Sequence, residues 1–573
     1  MPTYFKFFLF LTLLFSVSTF GQERKKDTLE TNVINVVKPY TPSVNDAFKV
    51  KETPKLYDEE NTTKKEVKYN IFSFPVASTF TPAKGKAATV DKAKTEKGYD
   101  NYATLGVGTY TTILGEVYLN HAISRNESVG GYFSHHSSQG GIPEVLTDDN
   151  FAITKLNANY SQKLRATSWK VEGGFETATY NWYGLAQPLF DETTANNLDV
   201  KHTFHTATLG GEIAFTDTYI NSGSVLFRRF GDNQGSGENH FSATIGVDIP
   251  IQEEELATTF HFDYLGGSFD RNYSDDEEVN YGNFQVGVSP SYQLVKDDLT
   301  LHLGAKLYYL NDTEAGRNKF FVYPNITASY RLVNEVLILF AGIEGELIQN
   351  TYRQFAAENP FVSPTLFVLP TDRQYNVHGG FKGKLSNAMS YSISGSYIAD
   401  RFKAMYKNNE ISAGSEDYMY GNSFGIVYDD VTTLGFSGEL NVAVNRNFTL
   451  TLKGDYFSYE TDEEAEAWNL PDFKASMFLD YQISEHWFAG ANLFYVGERK
   501  DYYFYPNLVA PEARVISLDS FFDANAHVGY HINQQFSVFA KVNNIANNEY
   551  HRWQNYPVQG FQALAGATYK FDF

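Results

Sequence analysis

The last stretch of the chain, FQALAGATYKFDF (Phe561–Phe573), decides the fold. Phe561, Ala563, Ala565, Ala567, Tyr569, Phe571 and Phe573 fall on one face, and Gln562, Leu564, Gly566, Thr568, Lys570 and Asp572 on the other. Successive strand side chains point to opposite faces, so this is one strand with an apolar, aromatic-ended side and a polar side. A transmembrane β-barrel strand has that pattern, its apolar row toward lipid and its polar row toward the lumen. The aromatic row Tyr569, Phe571 and Phe573 is the expected insertion signal, to be read by the barrel-assembly machinery.

Composition agrees with this reading. Aromatics make up 16% of the 573 residues, with 47 Phe and 40 Tyr, yet mean hydropathy is negative. No run of roughly 18 apolar residues follows the N-terminus, so membrane-spanning helices are excluded there. Strands that expose only alternate residues to outer-membrane lipid, with aromatic girdles at both interfaces, reconcile the two observations.

At the start, Lys6 precedes the apolar run Phe7 to Val17, and small or polar residues follow as far as Gly21. Residues 1–21 therefore read as a signal peptide. With 0 Cys there is neither a lipid-attachment site nor a disulfide. Thiolate catalysis, Cys-type zinc sites and iron–sulfur ligation are likewise excluded.

Residues 22–98 carry many Lys and Thr, scattered Pro and no sustained periodicity, and read as an irregular leader, periplasmic or docked in the lumen. That leader holds 15 Lys and Arg against 11 Asp and Glu, whereas the chain from Tyr99 holds 30 against 57. The overall net charge of −22 argues against nucleic acid as a partner. Inward carboxylates at Glu344, Glu346, Asp455 and Asp480 are expected to give the lumen a negative potential, suited to cations or to the cationic leader.

From residue 99 to residue 573 the texture is strands joined by alternately short and long connections. If the final strand descends to the periplasm, the short connections near Asn533, Ser484, Asn445, Asn387, Asn334, Asp297, Glu253, Asp217, Ala166 and Arg125 are periplasmic. The long ones, at 544–559, 498–517, 459–471, 403–419, 351–372, 310–317, 270–279, 230–237, 183–200 and 137–149, are then extracellular. With a tight hairpin at Tyr110 to Thr112, and Tyr420 to Val444 taken as one strand despite Asp429-Asp430, the chain gives an all-β antiparallel barrel of about 22 strands.

The segment VFAKVNNIANNEYHRWQNYPVQGFQALAGATYKFDF resembles the last hairpin of TonB-dependent receptors through Asn543, Asn544, Asn547, Tyr550 and Gly560 and the closing Tyr569-Lys570-Phe571. The resemblance covers about residues 99–573 and includes the strand count. It implies an outer-membrane barrel in a Gram-negative bacterium that binds or passes a solute. Members of that family fill the barrel with a folded plug, and residues 22–98 lack the Gly-rich, β-branched pattern of one. Glu30, Val33 and Val36 lie in a segment faintly like a TonB-binding box, so engagement of TonB is left open. The alternative is a non-transporting scaffold that holds periplasmic or surface partner proteins.

No enzyme is expected, since no catalytic cluster or phosphate-cradling loop stands in a usable context, and no cofactor or metal is implied. His135 and His136, adjacent in a strand, point to opposite faces. The acidic groups Asp275 to Glu278, Asp148-Asp149 and Asp462 to Glu466 read as solvated loops, lacking the EF-hand pattern. Tyr502, Tyr503, Phe504, Tyr505, Trp468 and Trp553 are candidates for stacking a sugar or packing on a partner.

Overall fold

The computed structural model describes residues 98–573 except positions 187, 217, 252, 253, 415, 446 and 506–511. The expected signal peptide, the expected leader up to residue 97 and the candidate TonB box at Glu30, Val33 and Val36 lie outside the described residues, as does the question of a plug.

Period-two alternation along each segment produces a single sheet of 22 antiparallel strands, each bonded to the next. The first, β1 (Asn101–Gly108), pairs with the last, β26 (Gln562–Phe571), so that Leu105 faces Ala567 and Gly106 faces Gly566. Closure is what makes the sheet stable in lipid, because an open edge would leave a row of peptide groups without partners. At this seam the hydroxyls of Thr104 and Thr568 bond at 2.9 Å on the lumen side. Leu105, Val107, Phe561, Tyr569 and Phe573 are exposed on the other. The two faces read from the final strand are therefore the lumen and lipid faces of the whole barrel. The same alternation recurs in β12 (Arg317–Val333), where Phe320 and Val322 project outward while Phe321 and Tyr323 are buried inside.

The assumed long strand is real: β16 runs Phe424–Asn445 through Asp429-Asp430. Its Asp429 carboxylate accepts the backbone N–H groups of Asp462, Glu463 and Glu464 at 2.9–3.1 Å. An acidic pair inside a strand thus serves the start of the neighbouring acidic loop rather than ending the strand.

Several connections differ from expectation, among them 230–237, which is a tight turn over 233–236. The 310–317 segment is a tight turn over 313–316, because β11 (Leu299–Asp312) and β12 extend in register up to Asp312 and Arg317. The 498–517 segment is a separate two-stranded ribbon of β20 (Arg499–Tyr505) and β21 (Glu512–Leu518), with Tyr502 opposite Val515. A short ribbon satisfies its backbone groups internally, which a long irregular loop cannot do.

Candidate functional site: the bridged outer mouth

The hydrophobic core of this protein lies at the long-loop end of the barrel. Four connections build it: 182–200, 349–370, 409–423 and 544–561, which leave the rim after the fifth, thirteenth, fifteenth and twenty-first barrel strands. Starting from such separated points, they can meet only across the mouth. Trp182 packs on Tyr418 at 5.2 Å between ring centres, and the Asn422 side chain donates to the Trp182 carbonyl at 3.0 Å. Tyr556 stacks on Phe361 at 3.7 Å, meets Tyr183 edge-on at 4.7 Å and donates its hydroxyl to the Asn422 carbonyl at 2.5 Å. Gly184 is required here, since a Cβ would stand 2.4 Å from the Tyr556 ring.

The 349–370 connection is anchored by a helix. Its short helix, Tyr352–Glu358, is capped by Thr351, whose side chain accepts from Gln354 N. The helix start rests on Glu238 of β8 (Gly237–Ile251), on the eighth barrel strand. Glu238 accepts Tyr352 N at 2.5 Å, Arg353 N at 3.4 Å and the Tyr281 hydroxyl at 3.0 Å. A buried carboxylate is tolerable there because it neutralises the unpaired amides of a helix start. Beside it the Tyr352 hydroxyl donates to Asp232 at 2.6 Å, and His202, stacked on Trp182 at 4.2 Å, meets the same carboxylate at 3.2 Å. Further pairs reinforce the rim: Arg271 bonds Glu416 at 2.5 Å, partly buried, and Asp199 N donates to Asp417 at 3.2 Å, exposed.

Two of the loop aromatics considered for stacking a sugar or packing on a partner are buried. Trp468 is buried against Met405 and Val431 and donates to Glu464 at 2.7 Å, and Trp553 is buried in the mouth core beside Tyr406 and Phe424. Large rings in loops serve as core here because the strands themselves offer their apolar faces to lipid. The residues that sequence reasoning missed are Trp182, Glu238 and Tyr352. Only Glu238, a lumen-side acid beside a loop, left any trace in the local pattern.

The last hairpin is held by a local network of hydrogen bonds. Asn544 and Asn547 hold positive φ of 46° and 50°, a conformation Asn tolerates better than branched residues. The Asn544 amide donates to the carbonyls of Asn548 and Gln559 and accepts Asn548 N; Asn547 accepts Phe561 N at 2.7 Å. Asn543 reaches Gln562, Tyr550 stacks flat on Phe521 at 4.0 Å and donates to Asp523, and Gly560 N bonds Gly141 O. Asn544→Ala removes three bonds and strains the turn, and should destabilise this loop by about 2–3 kcal/mol, read as increased amide exchange over residues 545–560.

The lumen carboxylates are not an unopposed negative surface. Glu346 lies 3.6 Å from Arg373 and 3.9 Å from Lys306, and Asp455 lies 3.2 Å from Lys453 and accepts the Ser437 hydroxyl. Glu344 sits opposite Asn325 and Asn376, and Asp480 opposite Thr449 and Gly490. Arg373 on the adjacent strand and Lys306 two strands away stand beside Glu346, and Lys453 on its own strand stands beside Asp455, so these two acids have basic partners. His135 bonds Thr154 and Ser137, while His136 turns to Phe151. Among the described residues no group of three or more His, Cys, Asp or Glu is placed to hold a metal.

The ribbon carries a buried acid. Asp501 is fully buried, its Oδ1 accepting Asn408 N at 3.0 Å and Tyr502 N at 2.8 Å. Burial pushes its carboxyl up to about 6, against the opposing pull of Asn469, those amides and Arg499. A folded value above the unfolded one means that docking of the ribbon is favoured by the bound proton. That contribution is complete below about pH 4 and fades as pH rises through 6. Amide exchange in β20 and β21, corrected for intrinsic rate, should therefore be slower at pH 5 than at pH 7, and Asp501→Asn should abolish the difference.

With the geometry in view, comparison with known proteins is informative at the level of fold. No protein-family model and no curated protein matches the sequence. Among solved structures, the chain is similar to the pyoverdine outer membrane receptor FpvA of Pseudomonas aeruginosa, with a TM-score of 0.60, 13% identity, and coverage of 84% of this chain and 79% of that one. It is also similar to the FrpB iron transporter of Neisseria meningitidis, with a TM-score of 0.63, 9% identity and coverage of 83% and 82%. A third is the ferric enterobactin receptor PfeA of Pseudomonas aeruginosa, with a TM-score of 0.58, 12% identity and coverage of 83% and 81%. The chain shares the fold of these outer-membrane barrels, and its apolar outward belt suits it to that membrane.

Proposed function

We propose that the chain is an outer-membrane receptor-type barrel that takes up a solute from outside, with the bridged mouth acting as a lid that opens for passage. The observation that supports this reading is the convergence of four loops from separated points of the rim on one buried aromatic core. A receptor-sized polar lumen beneath a lid built of loops is suited to controlled rather than free passage. The names of the similar structures make ferric chelates the first solutes to test.

The chain has 0 Cys, so engineered cysteines are its only thiols. Asp199→Cys with Asp417→Cys, joined by a short thiol cross-linker, would tie the 182–200 connection to the 409–423 connection. Ferric-chelate uptake by cells should stop on cross-linking and persist in each single variant. Uptake unchanged by the cross-link would overturn the lid reading.

A second reading, a non-transporting scaffold, draws on the same bridged mouth, which bars passage when shut. It predicts a stable stoichiometric periplasmic or surface partner on purification from native membranes, without solute-dependent uptake. Engagement of TonB through Glu30 to Val36 belongs to the uptake reading alone, and deletion of residues 30–37 should abolish uptake without reducing the amount of folded barrel.

A further inference from the structure

The lipid-facing wall carries a trough that the lid does not account for. Strand register builds it. On the outward face, Gly438, Gly454 and Ala475 stand side by side on three successive strands. One row above them runs Phe436, Tyr456 and Phe473, and one row below runs Leu440, Leu452 and Met477. Small side chains between two rows of large ones leave a furrow, which Ile393 closes at one side and Tyr495 at the other. Its volume is about 770 Å³, within the ~300–1,000 Å³ of ordinary ligand pockets. A Cβ added at Gly438 or Gly454 would meet nothing within 4 Å, so backbone crowding does not require glycine at either position.

We propose that this trough is a specific binding site for an acyl chain of a glycerophospholipid from the periplasmic leaflet. The occupant follows from where the trough lies. It is continuous with the apolar belt that contacts hydrocarbon, and its floor is backbone already bonded within the sheet, so it offers no polar anchor to a protein. The barrel is closed, which leaves no strand edge on which a partner strand could add. The trough continues toward the short-turn end at Leu385 and Tyr391. There the Tyr391 hydroxyl donates to the carbonyl of Val336 at 3.0 Å, in the turn before Leu337. An aromatic with a polar tip at that level marks the headgroup boundary, so a chain in the trough has its headgroup on the periplasmic side. Lipopolysaccharide, with its head at the opposite end, enters from the wrong direction.

The site is independent of whether the barrel transports. It can be tested by native mass spectrometry of the full-length mature protein reconstituted with palmitoyl-oleoyl phosphatidylethanolamine and then released from detergent. The wild type should retain one phospholipid at collision energies that strip the rest. Gly454→Leu and Gly438→Leu, which extend into the furrow from positions where a Cβ meets nothing within 4 Å, should each reduce that retention about tenfold. Gly115→Leu is the control: Gly115 pairs with the outward Leu105, and a Cβ there also meets nothing within 4 Å. It should retain lipid as the wild type does. Heat-modifiable electrophoretic mobility establishes that each variant is folded. Equal retention in all four proteins would show annular lipid only and overturn the proposal. Retention of lipopolysaccharide in place of phospholipid would overturn it too, as would a wild-type dimer that Gly454→Leu dissociates, which would assign the trough to a second copy of the chain.

Discussion

Replacing Glu238 by alanine is expected to release the 349–370 connection from the rim at the eighth strand while leaving the barrel folded. Glu238 accepts the first two amides of the short helix and the Tyr281 hydroxyl, all in buried surroundings. Bonds to a charged acceptor contribute about 1.5–3 kcal/mol each, and a buried donor left without a partner costs about 1–3 kcal/mol. Even after water enters, the loss should be about 3–4 kcal/mol, equivalent to roughly a 10²–10³-fold rise in the opening constant of this connection. Amide exchange over residues 351–359 should report it directly. Exchange in β8 should change little beyond its first residues, because its ladder to β7 (Ile220–Asp232) and β9 (Glu254–Phe269) is intact. Exchange over 351–359 matching the wild type would show that packing alone holds the loop.

The second large effect is expected at Tyr556. Truncation to alanine removes a fully buried ring of the 544–561 connection on which the 182–200, 349–370 and 409–423 connections meet, at a cost of about 3–5 kcal/mol. Tyr556→Phe keeps the ring and loses only the bond to Asn422, so it should cost about 1 kcal/mol. Because the ring is shared, protection should fall together in residues 183–186, 359–363 and 420–423. A double-mutant cycle with Phe361→Ala should give a coupling of about 1 kcal/mol for the stacked pair. Independent responses of the three connections would mean that they are separate loops rather than one lid.

The contrast between what was legible and what was not follows from how information is carried. Lipid and lumen sides of the final strand could be assigned from thirteen residues because a membrane imposes one rule on every outward position. The same rule made strand number legible through loop lengths, including the passage of β16 through Asp429-Asp430. The ribbon at 499–518 was hidden because its pairing is local but its surroundings are not hydrocarbon, so no alternation was enforced on it. The tight turn at 313–316 was hidden because polar strand ends read like loop.

The site was less legible than the fold. Asn543, Asn544, Asn547, Tyr550 and Gly560 stood out as a group because a hairpin gathers neighbours in sequence, although their visible work is to shape the loop. Trp468 and Trp553 stood out as aromatics in loops and were assigned to the surface, whereas both are core. Glu238 and Tyr352 are 114 residues apart, and nothing local to either one names the other.

By itself the sequence determined that this chain is a closed antiparallel barrel of about 22 strands, which face lipid with one set of side chains and the lumen with the other. Those properties depend on period-two patterning and on the solvent, both of which are written residue by residue. Only the tertiary structure decided that the outer mouth is bridged and that loop aromatics form the core. It also decided that a furrow crosses the lipid face at Gly438, Gly454 and Ala475. Each of these depends on which strands closure brings opposite or adjacent to one another, a matter of register and circumference rather than of any single segment.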